Sequence, residues 1–176
     1  SGDGVHGRVY RIRWAGTKAI PAIPLRGMDS WAKIRQLTDD KLADALNLPD
    51  LTDRVEARKE LVRRGSRSRS LVLARFLSGK YSPEGILPAI GLLQSFWNAD
   101  VEDFFRLQVR NDSPDVRRLV VEALGMNAKP NDSKIQKVLV MAIGDSDPSV
   151  RRAAALALGK LGGADAPGIL VKAWQH

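Results

Sequence analysis

The feature that most constrains the fold is a near-repeat in the last third of the chain. Residues 111–125 read NDSPDVRRLVVEALG and residues 145–159 read DSDPSVRRAAALALG. A similar motif, the repeated word, therefore recurs after 34 residues. A fixed period of this size is typical of helical hairpins stacked on one another, because one hairpin alone cannot bury its apolar face. The chain is therefore expected to be a solenoid of helical repeats.

Both copies carry the same signals for the start of a helix. Ser113 in the first copy and Asp147 in the second can accept hydrogen bonds from the free amides of the first turn. A proline follows each of them, at the helical position where a missing N–H is no loss. Beyond the proline, apolar residues recur with helical spacing along one face. Two amphipathic helices are predicted, beginning at Pro114 and Pro148.

The repeated word consists of a polar turn, Pro, Val-Arg-Arg and an Ala/Leu-rich helix that closes in Leu-Gly. It resembles HEAT repeats, particularly the short HEAT-like kind first described in bilin lyases. The resemblance implies an all-α fold, a right-handed α-solenoid of HEAT-like helical hairpins. It does not select a function, since such arrays serve as scaffolds, enzyme-associated modules and nucleic-acid binders.

The amino-acid composition excludes several kinds of catalytic and metal-binding site. The 176 residues include no cysteine, which removes disulfides, thiol catalysis and cysteine-ligated metals. The two histidines, His6 and His176, lie near opposite termini, so no Ser-His-Asp relay or histidine-rich metal site is expected. No apolar run approaches the roughly 20 residues that span a bilayer. A chain without catalytic residues, cofactor, metal or membrane insertion is predicted.

The net charge of +8 is unevenly distributed along the chain. Residues 1–80 contain 17 Lys and Arg against 9 Asp and Glu, whereas residues 81–176 contain 11 of each. Any attraction for an anionic partner must therefore come from the first half and not from the clear repeats.

The start of the chain differs from the rest. Residues 7–14, GRVYRIRW, alternate between apolar and polar side chains and predict a short β-strand, followed by an extended connector over residues 21–27. An isolated strand is marginal in water. Residues 1–27 are therefore expected to be the remnant of an N-terminal β-domain, although the strand could instead pair with a neighbouring copy of the chain. Residues 28–176 are expected to be the HEAT-like helical repeat domain. The start at Ser1, without methionine, suggests either a processed chain or a piece cut from a longer one.

Helical periodicity begins at Ser30. Ser30 and Thr38 are expected to cap two short helices, and Thr52 to open a third, over residues 53–64, that Gly65 ends. The segment RRGSRSRS at 63–70 is predicted to be a basic loop. Further helices are expected over residues 71–77 and 84–97, from Asp100 to Val109, around 135–143 and from Asp165 to Trp174.

The order of these segments is similar to the middle of large secreted bacterial membrane-bound dehydrogenases. There, a sugar-dehydrogenase-like β-propeller ends in a Gly-Arg-Val-Tyr-Arg-Ile strand, and a helical hairpin, HEAT-like repeats and usually a cytochrome c domain follow. Residues 7–13 match the strand, 42–65 the hairpin and 86–162 the repeats. The resemblance implies a scaffold between catalytic and electron-transfer parts and favours a periplasmic or extracytoplasmic location. The haem motif Cys-X-X-Cys-His is absent, so no cofactor is carried over.

Two functions from different classes remain open. The first is a non-catalytic scaffold that binds protein, either neighbouring domains or another chain, through its inner helical face and the basic loop. The alternative is a module that binds the phosphate backbone of a nucleic acid. The candidate patch for either consists of Arg63, Arg64, Arg67 and Arg69, with Arg54, Arg58, Lys59 and Arg75 nearby.

We expect the arginines of the repeated word to have a structural role. In HEAT stacks, the arginine after the valine commonly pairs with an acidic residue of a neighbouring turn. The expected ladder joins Arg117, Arg118, Arg151 and Arg152 to carboxylates at matching positions, namely Asp112, Asp115, Asp145 and Asp147.

Overall fold

The computed structural model describes residues 12, 14–19, 29–130, 132–163 and 165–174. Internal contacts divide the chain into residues 1–30 and residues 31–176. The predicted strand at 7–14 lies outside the described residues except for Ile12 and Trp14, as does the connector at 21–27. The proposed β-domain remnant therefore stays a prediction.

The described residues form ten α-helices, which confirms the all-α fold. In chain order they are α1 Ser30–Arg35, α2 Asp39–Ala45, α3 Leu51–Arg64, α4 Arg67–Leu77, α5 Pro83–Ser95, α6 Ala99–Gln108, α7 Pro114–Asn127, α8 Ser133–Ile143, α9 Pro148–Leu161 and α10 Ala166–Trp174.

The helices stack as an α-solenoid. The odd-numbered helices from α3 to α9 each pack on the even-numbered helix before them, and α3, α5, α7 and α9 contact one another in sequence. A continuous buried cluster fills the space between these helices; its fully buried members include Leu61, Leu93, Phe105, Leu124 and Leu158. Each hairpin thereby buries an apolar face that it could not bury alone.

Helix starts follow local capping chemistry, with two corrections. The carboxylate of Asp147 accepts a hydrogen bond from the Ser149 amide at 2.8 Å, as predicted. Ser113 makes no such side-chain bond. The third helix begins at Leu51 and not at Asp53, because Asp50 caps it through the amides of Thr52 and Asp53. The predicted Thr52 cap is wrong, since the Thr52 hydroxyl instead bonds to the same Asp50 carboxylate.

The basic segment at 63–70 is not a loop. Helix α3 ends at Arg64, Gly65 terminates it with φ +90°, and α4 already begins at Arg67. The positive φ explains why glycine stands there. Arginine and serine are both compatible with a helix, and Ser68 is fully buried within α4. The loop prediction is therefore wrong, and the four arginines lie on the ends of two consecutive helices.

Candidate functional site

The first arginine of the repeated word fastens the preceding turn to its helix. Nη1 of Arg117 donates to the carbonyls of Asn111 and Asp112 at 2.8 and 3.0 Å. Nη1 of Arg151 donates to the carbonyls of Asp145 and Ser146 at 2.9 and 3.0 Å. The acceptors stand six and five residues before the arginine in both copies. These two arginines therefore have a structural role at the start of the helix.

A third arginine makes the same contact, which sequence analysis missed. Nη1 of Arg54 donates to the carbonyls of Leu48 and Pro49 at 2.7 and 2.9 Å, again six and five residues earlier. Helices α3, α7 and α9 are all 14 residues long. Helix α3 is therefore a third copy of the second repeat helix. The available signal was the four-residue spacing from Asp50 to Arg54, which equals that from Asp147 to Arg151.

One arginine also joins two repeats. Arg117 forms a bidentate pair with Asp145, with Nε–Oδ2 and Nη2–Oδ1 distances of 2.8 and 2.9 Å. The two side chains are only 14% and 12% exposed. The guanidinium lowers the pKa of Asp145, because it stabilises the charged carboxylate. The pair fastens α7 to the connection between α8 and α9.

The other predicted ladder residues make local contacts. Arg118 pairs with Glu122 at 3.1 Å and with Asp115 at 3.6 Å, both on its own helix. Asp147 caps α9 and accepts from Ser149. Among the described residues, Arg152 has no carboxylate partner.

Two residues of the predicted basic patch belong to a structural network. Arg63 donates to both oxygens of Glu60, at 2.8 and 2.6 Å. Arg64 donates to Glu60 at 2.8 Å, to Asp39 at 2.7 Å and to the Arg35 carbonyl at 2.8 Å. Glu60 is 4% exposed, and its bonds to Arg63 and then Arg64 lower its pKa to about 2 against the opposing effect of burial. The network joins α3 to the first two helices.

The rest of the basic patch is only partly available to a ligand. Arg67 is 90% exposed, and its nearest carboxylate oxygen, on Asp39, is 3.9 Å away. Arg69 lies half-buried on α4. Among the nearby cations, Arg75 pairs with Asp40 and Asp44, and Lys59 pairs with Glu56. Three of the four arginines of the patch thus have a carboxylate of the same chain within 4 Å, as do Lys59 and Arg75.

A groove between α7 and α9 has a different character. Its volume is about 430 Å³, and its floor contains Gly125, Ala153 and Ala157. A Cβ atom on Gly125 would come within 2.3 Å of the Ala157 Cβ, so the two helices approach each other closely here. The small residues of the repeated word thereby create an open apolar channel along this surface.

The rim of the groove combines exposed apolar side chains with cations. Met126 is 56% exposed and Leu156 is 63% exposed. Arg118, Arg152 and Lys160 complete the rim together with one carboxylate, Glu122. In the 34-residue register, Arg118, Glu122 and Met126 on α7 correspond to Arg152, Leu156 and Lys160 on α9. Both sides of the groove therefore come from the same three repeat positions.

The described residues contain no group of three or more His, Cys, Asp or Glu side chains placed to hold a metal ion. Among the helices in the described ranges, none is long and apolar enough to cross a membrane.

Comparison with known proteins agrees with this architecture. Residues 101–176 match the family model described as HEAT repeats. The match covers both copies of the Val-Arg-Arg word and extends through α10, and it supports a HEAT-like repeat protein. No curated protein sequence matches the chain.

Proposed function

We propose that the chain is a non-catalytic HEAT-repeat scaffold that binds protein through the face formed by α7 and α9. The observation that carries this proposal is the groove, in which Met126 and Leu156 are exposed beside a floor of glycine and alanine. Contiguous exposed apolar side chains with a polar rim mark sites of protein interaction. HEAT repeats commonly act as scaffolds or interaction modules, which favours the same function.

The wider setting belongs to the same proposal. In a secreted dehydrogenase-like parent protein, the scaffold would hold a catalytic propeller and an electron-transfer domain at a fixed separation. The groove would then contact a neighbouring domain or another chain. This setting rests on the segment order of the sequence.

Selection from a peptide display library against the immobilised chain tests the scaffold function. Leu156→Glu places a charge in the groove, and Leu107→Glu provides a matched control, because Leu107 is a 71% exposed leucine on α6. Both variants are expected to fold, since neither leucine is buried. We expect selected peptides to lose binding to Leu156→Glu and to keep binding to Leu107→Glu. Equal binding to both variants would place the contact elsewhere, and no enrichment over bare resin would reject the function.

The nucleic-acid alternative has less support from the geometry. A phosphate at Arg63 or Arg64 must compete with Glu60, which already accepts three hydrogen bonds from these side chains. Anisotropy of labelled duplex DNA at low and near-physiological salt tests it. A phosphate-backbone binder that engages six to ten phosphates loses about three to five decades of affinity between roughly 50 and 200 mM salt. We expect flat titrations at both salt concentrations; binding that falls steeply with salt would favour the alternative.

A further inference from the structure

The repeat register allows α3 and α9 to be compared position by position. Arg54 and Arg151 make the same hydrogen bonds to the carbonyls six and five residues earlier, which aligns the two helices. Lys59 and Arg63 of α3 then correspond to Leu156 and Lys160 of α9. In α3, each of these cations has a glutamate three residues earlier: Lys59 pairs with Glu56 and Arg63 with Glu60. Lys59 and Arg63 are therefore each paired with a carboxylate of their own helix.

Helix α9 has alanines where α3 has these glutamates. Ala153 and Ala157 take the places of Glu56 and Glu60, and they form the floor of the groove. The sequence of α9, PSVRRAAALALGKL, contains no acidic residue. Arg152 and Lys160 have no carboxylate partner among the described residues. Ala157 thus removes the carboxylate that would stand three residues before Lys160. Arg152 lacks a partner because Ser149 and Leu156 stand where Asp115 and Glu122 pair with Arg118 in α7.

The dimensions of the groove favour a helical segment. The α9 side runs from Ser149 to Lys160, which corresponds to roughly 16 Å, or about three helical turns. An amphipathic helix that lies in such a groove places apolar anchors at i, i+3 or i+4 and i+7 on the floor. Met126 and Leu156 provide the matching apolar walls. A phosphate backbone would leave these apolar side chains without a partner.

The charge of the rim specifies the other face of the ligand. Three cations line the groove, and Glu122 is the one carboxylate among its lining residues. Arg118 is already paired with Glu122 and with Asp115. Carboxylates of a bound helix could therefore pair with Arg152 and Lys160, which lie towards opposite ends of the α9 side of the groove. A basic segment would meet like charges at the same places.

We infer that the groove between α7 and α9 binds an acidic amphipathic helix of a protein partner, with aliphatic anchors on the Gly125, Ala153 and Ala157 floor and carboxylates on Arg152 and Lys160. This inference rests on the proposed scaffold function and adds the chemistry of the partner. The partner lies against the second helices of the last two repeats, where neither cation is needed to hold the fold together.

Three synthetic helical peptides test the inference with the full chain. All carry leucines at the anchor spacing; the flanking positions are glutamate in the first, glutamine in the second and lysine in the third. We expect the glutamate peptide to bind most tightly and to weaken with added salt. The glutamine peptide should bind about tenfold more weakly, because it keeps the apolar contacts and loses the charge pairs. The lysine peptide should be the weakest.

Charge reversal on the protein provides the matched control. Arg152→Glu with Lys160→Glu should weaken the glutamate peptide at least tenfold and improve the lysine peptide, because the rim then attracts cations. Lys134→Glu with Lys137→Glu changes the net charge of the chain by the same amount on exposed positions of α8. That control should leave the order of the three peptides unchanged. Circular dichroism of both double variants checks that they fold.

The outcomes separate the inference from the function on which it rests. If all three peptides bind equally and Leu156→Glu abolishes their binding, the acidic partner is rejected and the protein-binding groove stands. If none binds, and display selection also yields nothing sensitive to Leu156→Glu, both proposals fail. A third outcome would overturn the inference in favour of a phosphate ligand. In that case the native chain binds duplex DNA but none of the peptides, and the charge reversal at Arg152 and Lys160 abolishes the DNA binding.

Discussion

Arg117 connects two repeats through one side chain. It satisfies two carbonyls of its own turn and the nearly buried carboxylate of Asp145. Arg117→Ala should lower the free energy of unfolding by about 3 kcal/mol, because it leaves Asp145 without its counter-charge. Urea unfolding followed by circular dichroism measures this loss.

Arg152 is the matched control at the residue scale. It stands in the same Val-Arg-Arg word as Arg151 but has no carboxylate partner among the described residues. Arg152→Ala should change the unfolding free energy by no more than about 0.5 kcal/mol. Losses of similar size in Arg117→Ala and Arg152→Ala would show that the pair with Asp145 contributes nothing.

Glu60 gives the stability a specific pH dependence. Hydrogen bonds from Arg63 and Arg64 lower the pKa of Glu60 from 4.5 to about 2. Because the pKa is lower in the folded state, this contribution is complete above about pH 4.5 and is lost as the pH falls towards 2. Glu60→Gln should therefore be less stable than the native chain at neutral pH, with a gap that narrows across that interval. Thermal unfolding at a series of pH values tests this, and a constant gap would contradict it.

At the scale of the helix, the equivalent glycines of two repeats, Gly125 and Gly159, have different environments. Gly125 faces α9, and a Cβ atom there would lie 2.3 Å from the Ala157 Cβ and 3.1 Å from its Cα. Gly125→Ala must push α7 and α9 apart and should cost about 1–3 kcal/mol. Thermal and urea unfolding measure the loss.

Gly159 is the equivalent residue one repeat later, and the opposite result is expected there. A Cβ atom at Gly159 would meet no atom within 4 Å, and the residue is exposed within α9. Gly159→Ala should stabilise the chain by roughly 0.5–1 kcal/mol, because alanine has the higher helix propensity. If both substitutions shift stability in the same direction, close helix packing does not govern the glycine of the repeat.

Helix starts could be predicted from sequence because their chemistry is local. Asp147 and Pro148 stand next to each other in the chain, and the structure begins α9 there. The role of Arg54 could not be read in the same way, because its helix lacks the proline and the Val-Arg-Arg word. The basic loop was predicted wrongly because exposed arginine and serine are compatible with both a helix and a loop, and the structure begins α4 at Arg67.

At the scale of the whole repeat array, the register could be predicted but the distribution of charge could not. The sequence shows that the excess of cations lies in residues 1–80. The structure pairs many of these cations with carboxylates, such as Arg64 with Asp39, 25 residues away. The uncompensated cations of the groove lie instead in the half with no net charge. Pairing between distant elements therefore determines which charges remain available to a partner, and net charge alone does not.

The repeat array also predicts that the loss of one contact destabilises mainly the adjoining helices. Each repeat of a solenoid contacts only its neighbours, so a weakened contact should increase local opening mainly in the adjoining helices. Arg117→Ala should speed hydrogen exchange of amides in α8 and α9 and leave α2 and α3 protected. Arg54→Ala, which removes the same two carbonyl contacts at the start of α3, should have the reverse pattern. Mass spectrometry of exchange in both variants distinguishes the cases. Equal loss of protection along all four helices in either variant would mean that the repeats unfold as one cooperative unit.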